Sequence, residues 1–478
     1  AKRGFNAVTL KLRLTPEEIS RFAVDQWRFP GVTVEPYLTR RYPYGDLFAH
    51  IVGYVGRTDE KDIAAFGAEH GVFTHTGRSG IERFYDEILR GKIGFEEVKT
   101  NVEGRPLGRV GRVPATAGTD LRLSVDADLQ RAMVDAFGDN DGAAVAIDPK
   151  TGEILAMVSL PSYDPNLFVN GISNTDYRRL MDNPSRPLFN RNVLGGGPPG
   201  FVALAGLESG LRRPQDQVFS TGEFHIPGQR RGYRDAHGGA GWTNLRKSIA
   251  QSVNYYYYKL AYDMGIARFD SYMRRYGFGQ PTGIDMLGEN DGVVPAPEWK
   301  AKRSKEPWYA GETVIAGIGQ GYWIATTLQL ARGVAALADN GQARRPHLAR
   351  DRRDGFDKPW TPMPQPAPAP LTTHVGYVRE IQGGMEGTIY DPGGTGRAMA
   401  RGAPYRMAGK TGTAQKISRR GNVSLNPHSL PLHLRHQAWF VGYAPAEDPQ
   451  IAIAVIVEHG GFGGSAAAPV ARKVFDAW

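Results

Sequence analysis

Hydrophobic and polar positions follow two different grammars along the chain, with the change near residue 120. Before it, AVTLKLRLT (7–15) alternates every second residue, the period of a strand. TPEEISRFAVDQW (15–27) follows, with a helix-start signal at Thr15. TGRSGIERFYDEILRGKIGFEEV (76–98) sets aromatic and aliphatic residues at helical spacing between glycines, and GRVPATAGTD (111–120) reads as a connector.

From residue 121 the elements lengthen. LRLSVD is a strand, and ADLQRAMVDAFG puts Leu129, Met133 and Phe137 on one helical face. AAVAIDPKTGEILAMVS (143–159) is two apolar runs around a polar turn, the signal of a β-hairpin. A mixed, largely helical middle extends to about 340, and KPWTPMPQPAPAP (358–370) reads as a proline-rich surface loop. The end runs strand, strand, strand, helix: MAGKTGTAQ, QAWFVGYAP, QIAIAVIVEHG and APVARKVFDAW. The prediction is an α+β fold, with an antiparallel sheet packed by the first and last helices of this region. Two domains are expected, 1–120 and 121–478.

Composition sharpens this only in places. The chain has 58 Lys plus Arg against 49 Asp plus Glu, a net charge of +9 that favours anionic partners. The densest basic run, ARRPHLARDRRD (343–354), carries its own aspartates and reads as a solvated loop, not a nucleic-acid patch. Cysteine is absent, which excludes disulfides, cysteine nucleophiles and Cys-type zinc sites, and fits a bacterial periplasmic setting. No apolar window reaches the ~18 residues of a membrane span. The chain starts at Ala1, in mid-pattern and without Met, as a chain trimmed from a longer one would; a removed anchor or signal leaves no trace in it.

Three short stretches carry candidate chemistry. Lys410-Thr411-Gly412-Thr413 lies on a predicted strand, where a glycine beside a lysine leaves the backbone open to a ligand. Thr411 and Thr413 share a face by the period-two rule, so the strand offers hydroxyls and a cation to a carboxylate. Alone, this tetrapeptide is better read as an ordinary strand with a surface lysine. Ser252-Val253-Asn254 has the spacing of a helix cap or turn; the alternative is a hydroxyl and an amide turned into one cleft. The adjoining run Tyr255–Tyr258 reads as packing and cleft wall. The third stretch, GGGPPGFVALAGLESG (195–210), is a glycine- and proline-rich turn entering an apolar helix with no reactive side chain behind it.

The order of these elements, with RFPGVTVEPYLTRRYPYG, VAIDPKTGEILAMVSLPSYDPNLFVNGIS, KLAYDMGIARF, GIGQGYW (317–323) and AGKTGTAQ, resembles the class B penicillin-binding proteins. The likeness covers nearly the whole chain and is strongest to the elongation-specific branch of rod-shaped Gram-negative bacteria. It implies an N-terminal pedestal of the dimerisation type over 1–120 and a transpeptidase domain over 121–478. In that family Pro-Pro-Gly is followed by Ser-x-x-Lys-Pro. There the lysine, one helical turn on, takes the serine's proton. Here Pro-Pro-Gly runs directly into Phe201, as if five residues including the nucleophile were lost between Gly200 and Phe201. No serine in the chain has a lysine three residues on, and Thr58 with Lys61 has the spacing in the wrong region. Three readings stand: a mobile segment left out of the chain as read, a deletion, or a natural pseudoenzyme. The intact Ser-x-Asn and Lys-Thr-Gly motifs favour the first, which predicts an open gap between Gly200 and Phe201.

What the resemblance implies for function is a peptidoglycan D,D-transpeptidase that cross-links stem peptides during elongation through a serine acyl-enzyme, and that β-lactams trap. Ser252 would shuttle a proton to the leaving amine, Asn254 hold the substrate amide, and Lys410 supply charge and position Ser252. Thr411 and Thr413 would bind the terminal carboxylate, with Gly412 between them and the Thr413 N–H in the oxyanion hole. A zinc site found in some relatives would leave here only Asp235 and His237, without a cysteine, so no metal and no cofactor are expected. Implied partners are peptidoglycan stem peptides, β-lactams and, through the pedestal, a membrane glycosyltransferase and scaffold proteins of the elongation machinery; nucleic acid is not among them. The implied location is the periplasmic face of the inner membrane. The alternative is a non-catalytic scaffold of the same machinery. A β-lactamase fits less well, because nothing marks a hydrolytic glutamate.

Overall fold

The computed structural model describes residues 9–67, 73–102, 106–193, 199–236, 238–414, 431 and 434–478. Its contacts divide the chain into two units. The first holds residues 1–120, 163–181 and 353–359; the second holds 121–162, 182–352 and 360–478. The segments 163–181 and 353–359 thus group by their contacts with residues 1–120.

In the first unit, a helix over Pro16–Asp25 starts at Thr15, as the sequence signal predicts. The Thr15 hydroxyl accepts from the Glu18 N–H at 3.2 Å, and Glu18 returns the bond to the Thr15 N–H at 3.0 Å. The strand expected over 7–15 does not form within its described part, residues 9–15. Among the described residues no strand pairs with it, and Arg13 sits at φ +56°, which breaks an extended run; alternation without a ladder partner does not make a strand.

The second unit is built on a five-stranded antiparallel sheet: β1 (Gly142–Ile147), β2 (Ile154–Leu160), β3 (Ala408–Ala414), β4 (Gln437–Ala444) and β5 (Ile451–Val457), in the order β3-β4-β5-β1-β2. The hairpin β1–β2 closes over the polar turn seen in the sequence, with the Asp148 N–H bonded to the Glu153 carbonyl at 2.9 Å. Ile451, Ile453, Val455 and Val457 of β5, with Phe440 of β4 and Ala144 and Ala146 of β1, are buried against two helices. These are α1 (Ala127–Phe137), through Leu129, Met133 and Phe137, and α7 (Ala467–Ala477), through Val470, Val474 and Phe475. They are the first and last helices of the region, as the pattern predicts. Each such large apolar side chain contributes roughly 1.5–3 kcal/mol on burial.

Between these elements in sequence lie α2 (Pro199–Glu208), α3 (Leu245–Ala250), α4 (Asn254–Met264), α5 (Thr327–Ala338) and α6 (Val375–Tyr390). Helix α5 packs on β1, β4 and β5, and α6 runs beside β3 and against α3. The basic run 343–354 is not a solvated loop. Ala349–Arg353 is a strand, and the Asp285 carboxylate accepts the Leu348 and Ala349 N–H groups at 2.7 and 2.8 Å. Arg344 pairs with Asp339 and Arg350 with Glu153, so local carboxylates answer much of its charge.

Candidate active site

Helix α3 ends in a left-handed turn that decides where Ser252 points. The Val253 N–H reaches the Ser248 carbonyl at 3.0 Å and the Ser252 N–H reaches Ile249 at 3.3 Å. This is the double hydrogen bond that closes a helix on a residue with positive φ, a place glycine usually fills. Here the residue is Ser252, at φ +54°. Holding a serine there costs on the order of 1 kcal/mol. The next helix, α4, begins at Asn254, and its first turn is capped by Asp235, whose Oδ2 accepts the Tyr255 N–H at 3.0 Å. The Ser-x-Asn motif is therefore both the turn and the candidate cleft element that its spacing allows. Tyr256, Tyr257 and Tyr258 are buried packing residues.

The turn is clamped from its other side. Gly384 of α6 lies so close that a Cβ there would fall 2.6 Å from Ile249 Cδ1. Arg246 forks onto Asp391 with two 2.7 Å hydrogen bonds, and the Thr395 N–H donates to the Ala250 carbonyl at 3.2 Å. Thr395 then meets Thr411 of β3, hydroxyl to hydroxyl, at 2.6 Å. One chain of contacts thus ties the end of α3 to β3.

Across that junction Lys410 Nζ donates to the Ser252 hydroxyl and, at 2.6 Å, to the Thr411 carbonyl. The structure thereby joins two motifs 158 residues apart. Lys410 is 4 % exposed, and burial pushes its ammonium down to about 7, because a charge withdrawn from water is disfavoured. A near-neutral amine on a serine hydroxyl can take or give a proton near neutral pH.

The remaining site residues are placed less simply. Thr411 is buried with its hydroxyl on Thr395, while Thr413 and Gly412 are half-buried. The glycine has a reason that the sequence does not show. Trp439 of β4 crosses it, and a Cβ at Gly412 would lie 2.1 Å from the indole. The sequence also missed Gln320, in the GIGQGYW stretch, whose Nε2 donates to the Thr413 carbonyl at 3.4 Å. Asp235, considered as a metal ligand, caps α4; His237 and residues 194–198 lie outside the described residues. Among the described residues no cluster of metal-ligating side chains occurs.

Helix α2 runs through Gly200 and Phe201, the junction at which the resemblance places the nucleophile segment. Its apolar side chains, from Phe201 to Leu207, are buried. Phe201 packs edge-on to Phe278, with ring centroids 5.0 Å apart. The first turn of α2 holds no hydroxyl and no amine.

Comparison with known proteins places the chain in a family. Residues 142–476 match the penicillin binding protein transpeptidase domain, and residues 1–123 the penicillin-binding protein dimerisation domain. The chain belongs to the penicillin-binding protein transpeptidase family. Within it, the chain is similar to the peptidoglycan D,D-transpeptidases MrdA of Haemophilus influenzae and Escherichia coli. It is 41% identical to the first, over 99% of this chain and 75% of the relative, and 39% identical to the second, over 99% and 76%. Among solved structures it resembles Pseudomonas aeruginosa PBP2 in complex with WCK 5153 (TM-score 0.81, 41% identity, 93% of this chain and 91% of that one). It also resembles the PBP2 of a complex with MreC from Helicobacter pylori (TM-score 0.84, 30% identity, 96% and 82%). The match to the Haemophilus protein runs over 488 positions against a chain of 478, so at least 10 residues of that relative face no residue here.

Proposed function

We propose that the protein is a serine-type peptidoglycan D,D-transpeptidase, and that its nucleophile sits in a Ser-x-x-Lys segment inserted between Gly200 and Phe201. The observation that carries this reading is the contact of Lys410 Nζ with Ser252 Oγ, which assembles the Ser-x-Asn turn and the Lys-Thr-Gly strand around one buried amine. The shortfall of aligned positions against the curated relatives fits a missing internal segment. In the reaction, the serine oxygen bonds to the penultimate D-Ala carbonyl carbon and its proton passes to the lysine of its own motif. The C–N bond to the last D-Ala breaks, and the leaving amine takes a proton relayed by Ser252. An amine from a second stem peptide then attacks the acyl-enzyme and restores the serine. Asn254 holds the donor's amide, Thr413 offers its hydroxyl to the terminal carboxylate and its N–H to the oxyanion, and β-lactams follow the first half of this path.

The setting follows from the same reading. The protein works at the periplasmic face of the inner membrane, and its N-terminal unit meets partners of the elongation machinery, as the Helicobacter relative meets MreC. Among the described residues no helix is long and apolar enough to cross a membrane, so a tether would lie outside them.

A second reading has its own support. The first turn of α2, Pro199 to Val202, carries no hydroxyl and no amine, which suits a non-catalytic scaffold. Intact mass of the protein made from its natural gene, with and without benzylpenicillin, separates the two. One covalent adduct, mapped to a serine preceding Phe201, is the expected result. No adduct on a folded protein overturns the enzymatic reading and leaves the scaffold.

A further inference from the structure

The open edge of β3 is guarded. Strand β3 pairs with β4 along its whole length and, among the described residues, has no strand neighbour on its other side. In an antiparallel ladder, carbonyls two residues apart point to the same edge. The Thr411 and Thr413 carbonyls both accept from side chains, the first from Lys410 Nζ and the second from Gln320 Nε2. They therefore mark the unpaired edge, where an extended peptide adds by offering backbone N–H groups.

Gln320 reaches this edge from a fixed base. A Cβ at Gly317 would fall 2.5 Å from Ala261 Cβ and 2.7 Å from the Tyr257 carbonyl, so the turn is seated on α4, the helix that starts with Asn254. Gly319 and Gly321 flank the glutamine at φ +77° and +74°, a conformation glycine adopts without strain. The Gln320 N–H bonds to the Ile315 carbonyl at 3.3 Å. The backbone is anchored, while the side chain keeps its three rotatable bonds and holds the strand by one long hydrogen bond.

We propose that Gln320 is a specificity-determining residue: its carboxamide occupies the Thr413 carbonyl, and an extended peptide pairs with that position only by displacing it. The inference rests on the reading of β3 as the peptide-binding strand. A ligand presenting a backbone N–H in this register competes with Gln320, whereas one lacking that N–H leaves the glutamine in place. The residue thus tunes which stem-like peptides the edge accepts.

The test uses the chain as it stands and a diacetylated L-Lys-D-Ala-D-Ala peptide, with affinities from NMR titration. Gln320→Leu keeps the volume and removes the donor; Gln320→Ala serves as a second variant, and thermal melts verify that both fold. Removing one competing hydrogen bond is expected to tighten the peptide about threefold to tenfold in both variants. N-methylation of one amide of the peptide should abolish that gain, and methylation of the other amides should not. Equal affinity in wild type and variants, or a gain that survives every methylation, overturns the role of Gln320 and leaves the transpeptidase reading untouched. Absence of binding to wild type and variants alike, with all of them folded, overturns the peptide-binding reading of β3 and the inference with it.

Discussion

Trp439 lies across Gly412, close enough that a methyl group on that glycine would sit 2.1–2.6 Å from three atoms of the indole. Strands β3 and β4 pair here, Gly412 opposite Trp439, so neither backbone can withdraw without breaking the ladder. Gly412→Ala is expected to destabilise the protein by roughly 1–3 kcal/mol, the usual range for overpacking. Adding Trp439→Leu should recover part of that loss, a coupling that denaturation of the single and double variants would detect. Additive losses would mean that Gly412 is required for some other reason.

Lys410 gives stability a pH dependence whose sign is fixed. Its ammonium titrates at about 7 in the fold and near its ordinary 10.5 once unfolded. Between those values the unfolded chain binds a proton that the folded chain does not, so this residue makes stability rise with pH across that window. Below about 7 both states are protonated and its contribution is flat. Compared with Lys410→Met, the wild type should gain at most ~1.4 kcal/mol per pH unit between pH 7.5 and 9.5, read from denaturant midpoints. Parallel curves for the two proteins would refute the buried, near-neutral lysine.

Ser252→Ala and Ser252→Gly both delete the hydroxyl that receives Lys410, yet they differ in backbone cost. At φ +54° glycine is unstrained and alanine is not. The glycine variant should be the more stable of the two by about 1 kcal/mol. If the two melt together, the left-handed turn is not what holds Ser252.

Asp235 should behave as a helix cap. Asp235→Ala leaves the Tyr255 N–H without its acceptor and is expected to cost about 1 kcal/mol. The melting temperature should not respond to zinc or to chelator in either protein. Stabilisation of wild type alone by zinc would restore Asp235 as a ligand.

The hairpin around Asp148–Glu153, the helix of Leu129, Met133 and Phe137, and the closing strands were legible because local periodicity decides them. The same rule misled at AVTLKLRLT, where alternation has no partner strand among the described residues, and at ARRPHLARDRRD. There a strand is fixed by Asp285, more than sixty residues upstream, bonding the Leu348 and Ala349 N–H groups. In the site, Lys410 and Ser252 were found through their motifs. Their burial, the left-handed turn and the Thr395–Thr411 bond depend on which segments meet in space. Gln320 left no local signal: a glutamine between glycines reads as a turn until the strand opposite it is known.

A sheet margin that stays open for a ligand is also open to another copy of itself, since unpaired amides and carbonyls invite strand-to-strand association. Lys410 and Gln320, donating to alternate carbonyls of β3, act as placeholders on that margin. If β3 is the peptide-binding strand, working surface and self-association hazard are one strip of backbone, and the side chains on its alternate carbonyls sit where a second copy's strand would have to pair.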